Sequence, residues 1–104
     1  MSNFLEDLKE TIGYEPVEAV VFTALLDDLY LRGREKSVDP RNTGIEINKV
    51  YSWEEAQPLL NYDYNAGYGD SDCHFVNIWT PTRIIYIHEY DGATWPEFVP
   101  RNPT

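Results

Sequence analysis

The 104-residue chain sets eighteen acidic side chains against eight Lys and Arg, a formal charge of −10 at pH 7, which opposes general attraction to nucleic acid or anionic lipid and favours positively charged partners. A chain of this length makes one domain, 1–104, and its 42% hydrophobic and 14% aromatic content belongs to a folded protein and not to a disordered acidic tail. No run approaches a membrane span, Glu6 and Asp7 stand where a signal peptide carries basic residues, and the single Cys73 excludes an internal disulfide, so a cytoplasmic location is expected.

Residues 3–33 read as the helical part. Asn3 and Glu6 have capping-box spacing, Phe4, Leu5, Leu8 and Ile12 form one apolar stripe, and Gly13 is a natural stop. A longer helix is predicted next: Pro16 suits its first turn, and Val17, Val20, Val21, Ala24 and Leu25 line one stripe. Phe22, Leu26, Leu29 and Leu31 widen that stripe, and Gly33 ends the helix behind Arg32. The competing reading makes residues 16–22 a strand, because its valines are β-branched.

Residues 33–44 are polar, with turn signals at Asp39-Pro40 and Thr43-Gly44, and read as a loop. Ile45, Ile47 and Val50 then alternate with polar residues as in a short strand with one wet face. Ser52 and Glu55 supply a second capping box, for a short helix over 53–60 limited by Pro58.

Residues 73–99 read as an antiparallel meander. Two apolar runs, 73–80 and 83–90, flank Pro81-Thr82, and Asp91-Gly92 is a strong hairpin turn into 93–99, where Pro96 marks an edge strand. A two-residue turn at 81–82 sets Trp79 against Ile84, Asn77 against Tyr86 and Phe75 against His88 on one face. The other face then pairs Ile78 with Ile85, Val76 with Ile87 and His74 with Glu89. Across the second turn Trp95 lies beside His88, Glu97 beside Tyr86 and Phe98 beside Ile85. One face is thereby aliphatic and the other aromatic with polar edges. The expected fold class is α+β, two or three helices packed on a three- to four-stranded antiparallel sheet.

Catalytic and metal chemistry find little support in these residues. Asp63 and Asn65 begin an EF-hand-like spacing, but Gly67, Tyr68 and His74 occupy positions where that loop needs an acid, a glycine and a bidentate Glu. Cys73 and His74 are neighbours that point to opposite faces of a strand, which defeats both a four-ligand zinc site and a thiol–imidazole pair. His74 opposite Glu89 is read as a cross-strand polar pair. The protein is therefore read as a non-enzyme with no cofactor and no metal. The basic loop of Arg32, Arg34, Lys36 and Arg41 is diluted by Glu35 and Asp39, too little for a nucleic-acid site.

The aromatic residues and the acids point elsewhere. Residues 50–82 contain no Lys or Arg, and Tyr62, Tyr64 and Tyr68 lie there among Asp63, Asp70 and Asp72. Tyrosine beside aspartate suits recognition, since the ring gives contact area at low ordering cost and the acid steers a basic partner. The other reading folds the tyrosine-rich loop over the aromatic sheet face as a second small core. The short acidic chain, the YDGATW turn and the PRNP ending resemble small uncharacterised accessory proteins encoded by bacteriophages, mostly over residues 51–103. That resemblance implies a protein made in the cytoplasm of an infected bacterium, where small acidic products block host defence or nucleic-acid-handling proteins.

The first expectation is accordingly an interaction module that offers Tyr62, Asp63, Tyr64, Tyr68, Asp70 and Asp72 to a basic site on a host protein, in its strongest form imitating nucleic-acid charge. The alternative is a small-molecule or peptide-binding domain using the sheet face around Trp79, Tyr86, His88 and Trp95. A third, an enzyme using His74 or His88 with Glu89, needs those groups to converge. Oligomeric state stays open, because an edge at 94–99 invites pairing and Pro96 opposes it.

Overall fold

Both capped helices form where their signals lie. The structure, a computed structural model, describes residues 2–26, 29–30, 36–37, 40–64, 73–90 and 93–101. In chain order it runs β1 (Ser2–Asn3), α1 (Phe4–Ile12), β2 (Ala19–Ala24), β3 (Leu29–Tyr30) and β4 (Lys36–Ser37). A 3-10 turn follows at Pro40–Asn42, then β5 (Val50–Tyr51), α2 (Trp53–Leu60), β6 (Asp63–Tyr64), β7 (Phe75–Trp79), β8 (Arg83–Tyr90) and β9 (Ala93–Pro100). The Asn3 side chain accepts from the Glu6 amide at 3.0 Å. Ser52 and Glu55 complete the reciprocal capping box at the start of α2, which accommodates Pro58 within its length.

The longer helix predicted after Pro16 does not form: residues 19–24 are a strand. β2 sits inside a five-stranded antiparallel sheet of order β5-β2-β7-β8-β9, between β5 and β7. Its side chains alternate, Val20 and Phe22 inward and fully buried, Ala19 and Val21 on the other side and half-buried. A strand apolar on both faces has no clean alternation, so the run resembles a broad helical stripe. Pairing with Val76 and Ile78 of β7 decides the matter for the strand. The Arg32 and Gly33 helix end, and the Asp91-Gly92 turn, lie outside the described residues.

The strand expected from Ile45 through Val50 shrinks to Val50–Tyr51. Asn48 takes φ 63 and Gly44 φ 81, left-handed backbone that breaks an extended run. The Tyr51 hydroxyl closes this excursion, donating to the Gly44 carbonyl at 3.2 Å and accepting from the Glu46 amide at 2.8 Å.

Where its ladders form, the meander has the register expected of it. Trp79 pairs with Ile84, Ile78 with Ile85 and Asn77 with Tyr86. His88 pairs with Trp95, Tyr86 with Glu97 and Ile85 with Phe98. The β7–β8 ladder ends at Asn77, so Phe75–His88, Val76–Ile87 and His74–Glu89 are not ladder pairs. On its other side β7 pairs with β2 throughout, and Phe75 meets Ala24 across a register shift.

The helices pack on one face of this sheet, α1 against β9 and α2 against β2 and β5. Phe4, Leu8, Ala56 and Leu60 meet Val20, Phe22, Val76, Ile78 and Ile85 in a continuous core, each large aliphatic side chain contributing about 1.5–3 kcal/mol of burial. Two short ladders close the periphery, β1 with β6 and β3 with β4. The domain is α+β, two helices against antiparallel sheets, with a wider main sheet than the three or four strands expected. No helix among the described residues is long and apolar enough to cross a membrane.

Candidate binding surface

With both helices on the aliphatic face, the opposite face of the main sheet is left to the outward-alternating residues of five strands. Ladder register arranges them in rows across the strands. One row runs Ala19, Trp79, Ile84, Val99; the next runs Val50, Val21, Asn77, Tyr86, Glu97; a third brings His88 beside Trp95. Directly opposite residues in such rows hold their Cβ atoms about 4.5–5.5 Å apart. An amide, a phenol and a carboxylate thus line up between a mainly aliphatic flank that includes Trp79 and a ring pair of His88 and Trp95.

Ring geometry confirms that the side chains share this face. The His88 and Trp95 centroids are 4.9 Å apart, and Tyr86 and His88 6.4 Å apart. Trp95 Nε1 donates to Glu97 Oε1 at 2.9 Å. Trp79, Tyr86, His88 and Trp95 are each half-buried, flanked by exposed Val50 and Val99. Among the described residues of these rows Glu97 is the only carboxylate. Exposed acids instead occupy the helical layer, Glu6 and Glu10 on α1 and Glu54 and Glu55 on α2.

The acidic tyrosine stretch is arranged differently. Asp63 is exposed, but Tyr64 is 1% exposed, its ring 5.1 Å from Phe4 and its hydroxyl donating to Asp7 Oδ2 at 2.7 Å. The expected outward role for Tyr64 is therefore corrected: pairing of β6 with β1 turns it into the core beside α1. Tyr62 is half-buried and directs its hydroxyl inward. Tyr68, Asp70 and Asp72 lie outside the described residues. Burial, and then the Asp7 carboxylate, push the Tyr64 hydroxyl above its ordinary 10.0.

A phenol whose folded-state value is raised stabilises the fold fully below pH 10 and loses that contribution as pH climbs above it. Absorbance titration of tyrosinate should thus leave the Tyr64 ring unionised well above pH 10. Tyr64→Phe should remove that late step; a smooth titration of all the tyrosines near pH 10 in the folded protein would contradict the burial.

Behind Tyr62 lies a polar network that spacing did not reveal. Asn42, at the end of the 3-10 turn, clasps Leu26 from both sides: Nδ2 donates to its carbonyl and Oδ1 accepts its amide, each at 2.9 Å. This orients the amide, and the same Oδ1 lies 2.8 Å from His74 Nε2. The imidazole proton therefore belongs on Nε2, leaving Nδ1, 2.7 Å from the Tyr62 oxygen, to accept the phenolic hydrogen. The His74 amide also donates to that oxygen at 2.8 Å. Phe22 meets the imidazole edge-on at 5.5 Å.

The groups weighed for catalysis do not converge. His74 is buried among Asn42, Tyr62 and Phe22, whereas Glu89 is exposed and stands opposite Thr94 in the β8–β9 ladder. His88 belongs to the open face with Trp95, on the other side of the sheet. Cys73 is buried, its sulfur 4.0 Å from Thr94 Oγ1. Among the described residues no group of three or more His, Cys, Asp or Glu side chains is placed to hold a metal. Comparison with known proteins finds no match among family models, curated proteins or solved structures.

Proposed function

We propose that this protein is an interaction module that binds a basic protein segment on the open aromatic face of its main sheet. One observation carries the reading: Trp79, Tyr86, His88 and Trp95 share the face of the main sheet opposite α1 and α2, where Glu97 is the only carboxylate among the described residues, in a chain of charge −10. Charged residues are depleted and aromatic residues enriched at the centres of protein interfaces, and this face has that composition. The whole-molecule charge then supplies long-range attraction for a cationic partner, while the rings supply the short-range contact. The expectation of an acidic module meeting a basic protein is kept, but its contact surface moves from the loop tyrosines to the sheet.

An array of equal-length basic, neutral and acidic peptides tests this. Binding should favour basic segments that also carry apolar residues and should weaken from about 20 to about 300 mM salt, where the screening length shrinks from roughly 20 Å to about 6 Å. Trp79→Ala and Trp95→Ala should each reduce affinity by about tenfold or more, with Asp63→Asn nearly silent. Binding that ignores salt would overturn the basic-partner reading, and binding that survives both tryptophan changes but is lost with Asp63→Asn would return the contact surface to the acidic stretch.

A further inference from the structure

We propose that the open face holds a specific seat for one arginine side chain of the partner, built from Glu97, Trp95 and Tyr86; this rests on the reading of the sheet as the binding surface. Glu97 is the only carboxylate among the described residues of that face. Trp95 Nε1 occupies Oε1, which fixes the carboxylate over the sheet. Oε2 meets no donor among the described residues. The phenol of Tyr86 is the cross-strand neighbour of Glu97. His88 packs against both Tyr86 and Trp95 and holds the rings in place.

A cation entering here meets three things: an anionic oxygen in need of a donor, the neighbouring rings of Trp95 and Tyr86, and the Asn77 amide one strand further along the same row. A quaternary ammonium would use the rings but has no hydrogen to give the carboxylate. A lysine ammonium gives hydrogens but offers no flat surface. A guanidinium does both, since its plane stacks on aromatic rings while its edge donates to a carboxylate. Charge complementarity is local as well as global: with acids concentrated elsewhere, a single carboxylate on an apolar face dictates where the cationic group must sit.

The test uses the intact chain and two probes, acetyl-Leu-Arg-Leu-amide and its citrulline analogue, which has the same shape without the charge. Each is titrated while the Trp95 indole N–H resonance is followed. The arginine peptide should shift that resonance and bind about fivefold more tightly than the citrulline peptide. Glu97→Gln should lower arginine-peptide affinity to the citrulline level, with an unchanged urea midpoint as proof of folding. Equal affinity of the two peptides for the unaltered protein overturns the seat, as does discrimination that persists in Glu97→Gln. If the peptides bind equally and Trp95→Ala abolishes both, the seat is overturned and the sheet remains a peptide surface; if neither moves any indole resonance, both proposals fall.

Discussion

Asn42→Leu should be among the most destabilising single changes in this protein, at about 3 kcal/mol, although leucine approaches asparagine in size. The substitution removes both bonds to the Leu26 backbone and the acceptor for His74 Nε2. One buried and two partly buried donors and acceptors are left without partners, each costing about 1 kcal/mol. His74→Phe should cost less. It keeps the edge-on packing against Phe22, and Asn42 retains Leu26 in both directions. The double variant should be less destabilised than the two single costs summed, because once the imidazole is gone as well, no Nε2 hydrogen is left without its acceptor. Urea denaturation of the four proteins gives the cycle. A cost for Asn42→Leu below about 0.5 kcal/mol, the range of ordinary surface changes, would mean that the amide is not the clasp between the 3-10 turn and the sheet.

Arg83→Met should be the second large loss, about 2 kcal/mol, through the end of α1. The guanidinium donates to the Thr11 carbonyl at 2.9 Å and also to the Ile12 carbonyl, groups that a helix end leaves without intrahelical partners. Gly13 turns the chain there at φ 69, and its amide bonds back to Lys9. The same guanidinium stacks 4.8 Å from the Phe98 ring and donates through Nε to Glu15 at 2.8 Å. Methionine keeps the apolar stem but loses every one of those donors.

Acid should reveal the same joint. Hydrogen bonds from Arg83, then from Thr82, hold the Glu15 carboxyl below its ordinary 4.5. A carboxylate whose folded-state value is depressed adds stability above the unfolded value, and that contribution disappears as pH falls through the folded one. Melting temperatures of the parent protein and Glu15→Gln should therefore differ most near neutrality and converge as pH falls below the ordinary 4.5. A gap that stays constant from neutral pH down to about pH 3 would show that Glu15 acts by packing and not by charge.

Asn3, Gly13 and the Ser52–Glu55 box could be read directly because helix ends are satisfied by residues three or four positions away. The same is true of the register of β7, β8 and β9, since two short turns leave few ways to pair consecutive strands and a one-residue slip would expose Ile78 and Ile85. From that register alone Trp79, Tyr86, His88 and Trp95 fall on one face. The segment from Pro16 reads as a helix for an equally physical reason. Val20 and Phe22 face the helices while Val21 faces the open side, and a strand lined on both sides by apolar neighbours carries no alternation to betray it.

Composition and local spacing by themselves determined the charge, both capped helices, the meander and which aromatic side chains share its outer face, because each depends on groups a few residues apart. Only the assembled fold decided that β2 and β5 widen that face, that Tyr64 leaves the acidic stretch for a partner at Asp7, and that Asn42 and Tyr62 meet around His74. Those groups are distant along the chain, and such choices are made by competition for buried space and hydrogen-bond partners, a property of the whole domain that no short window of residues contains.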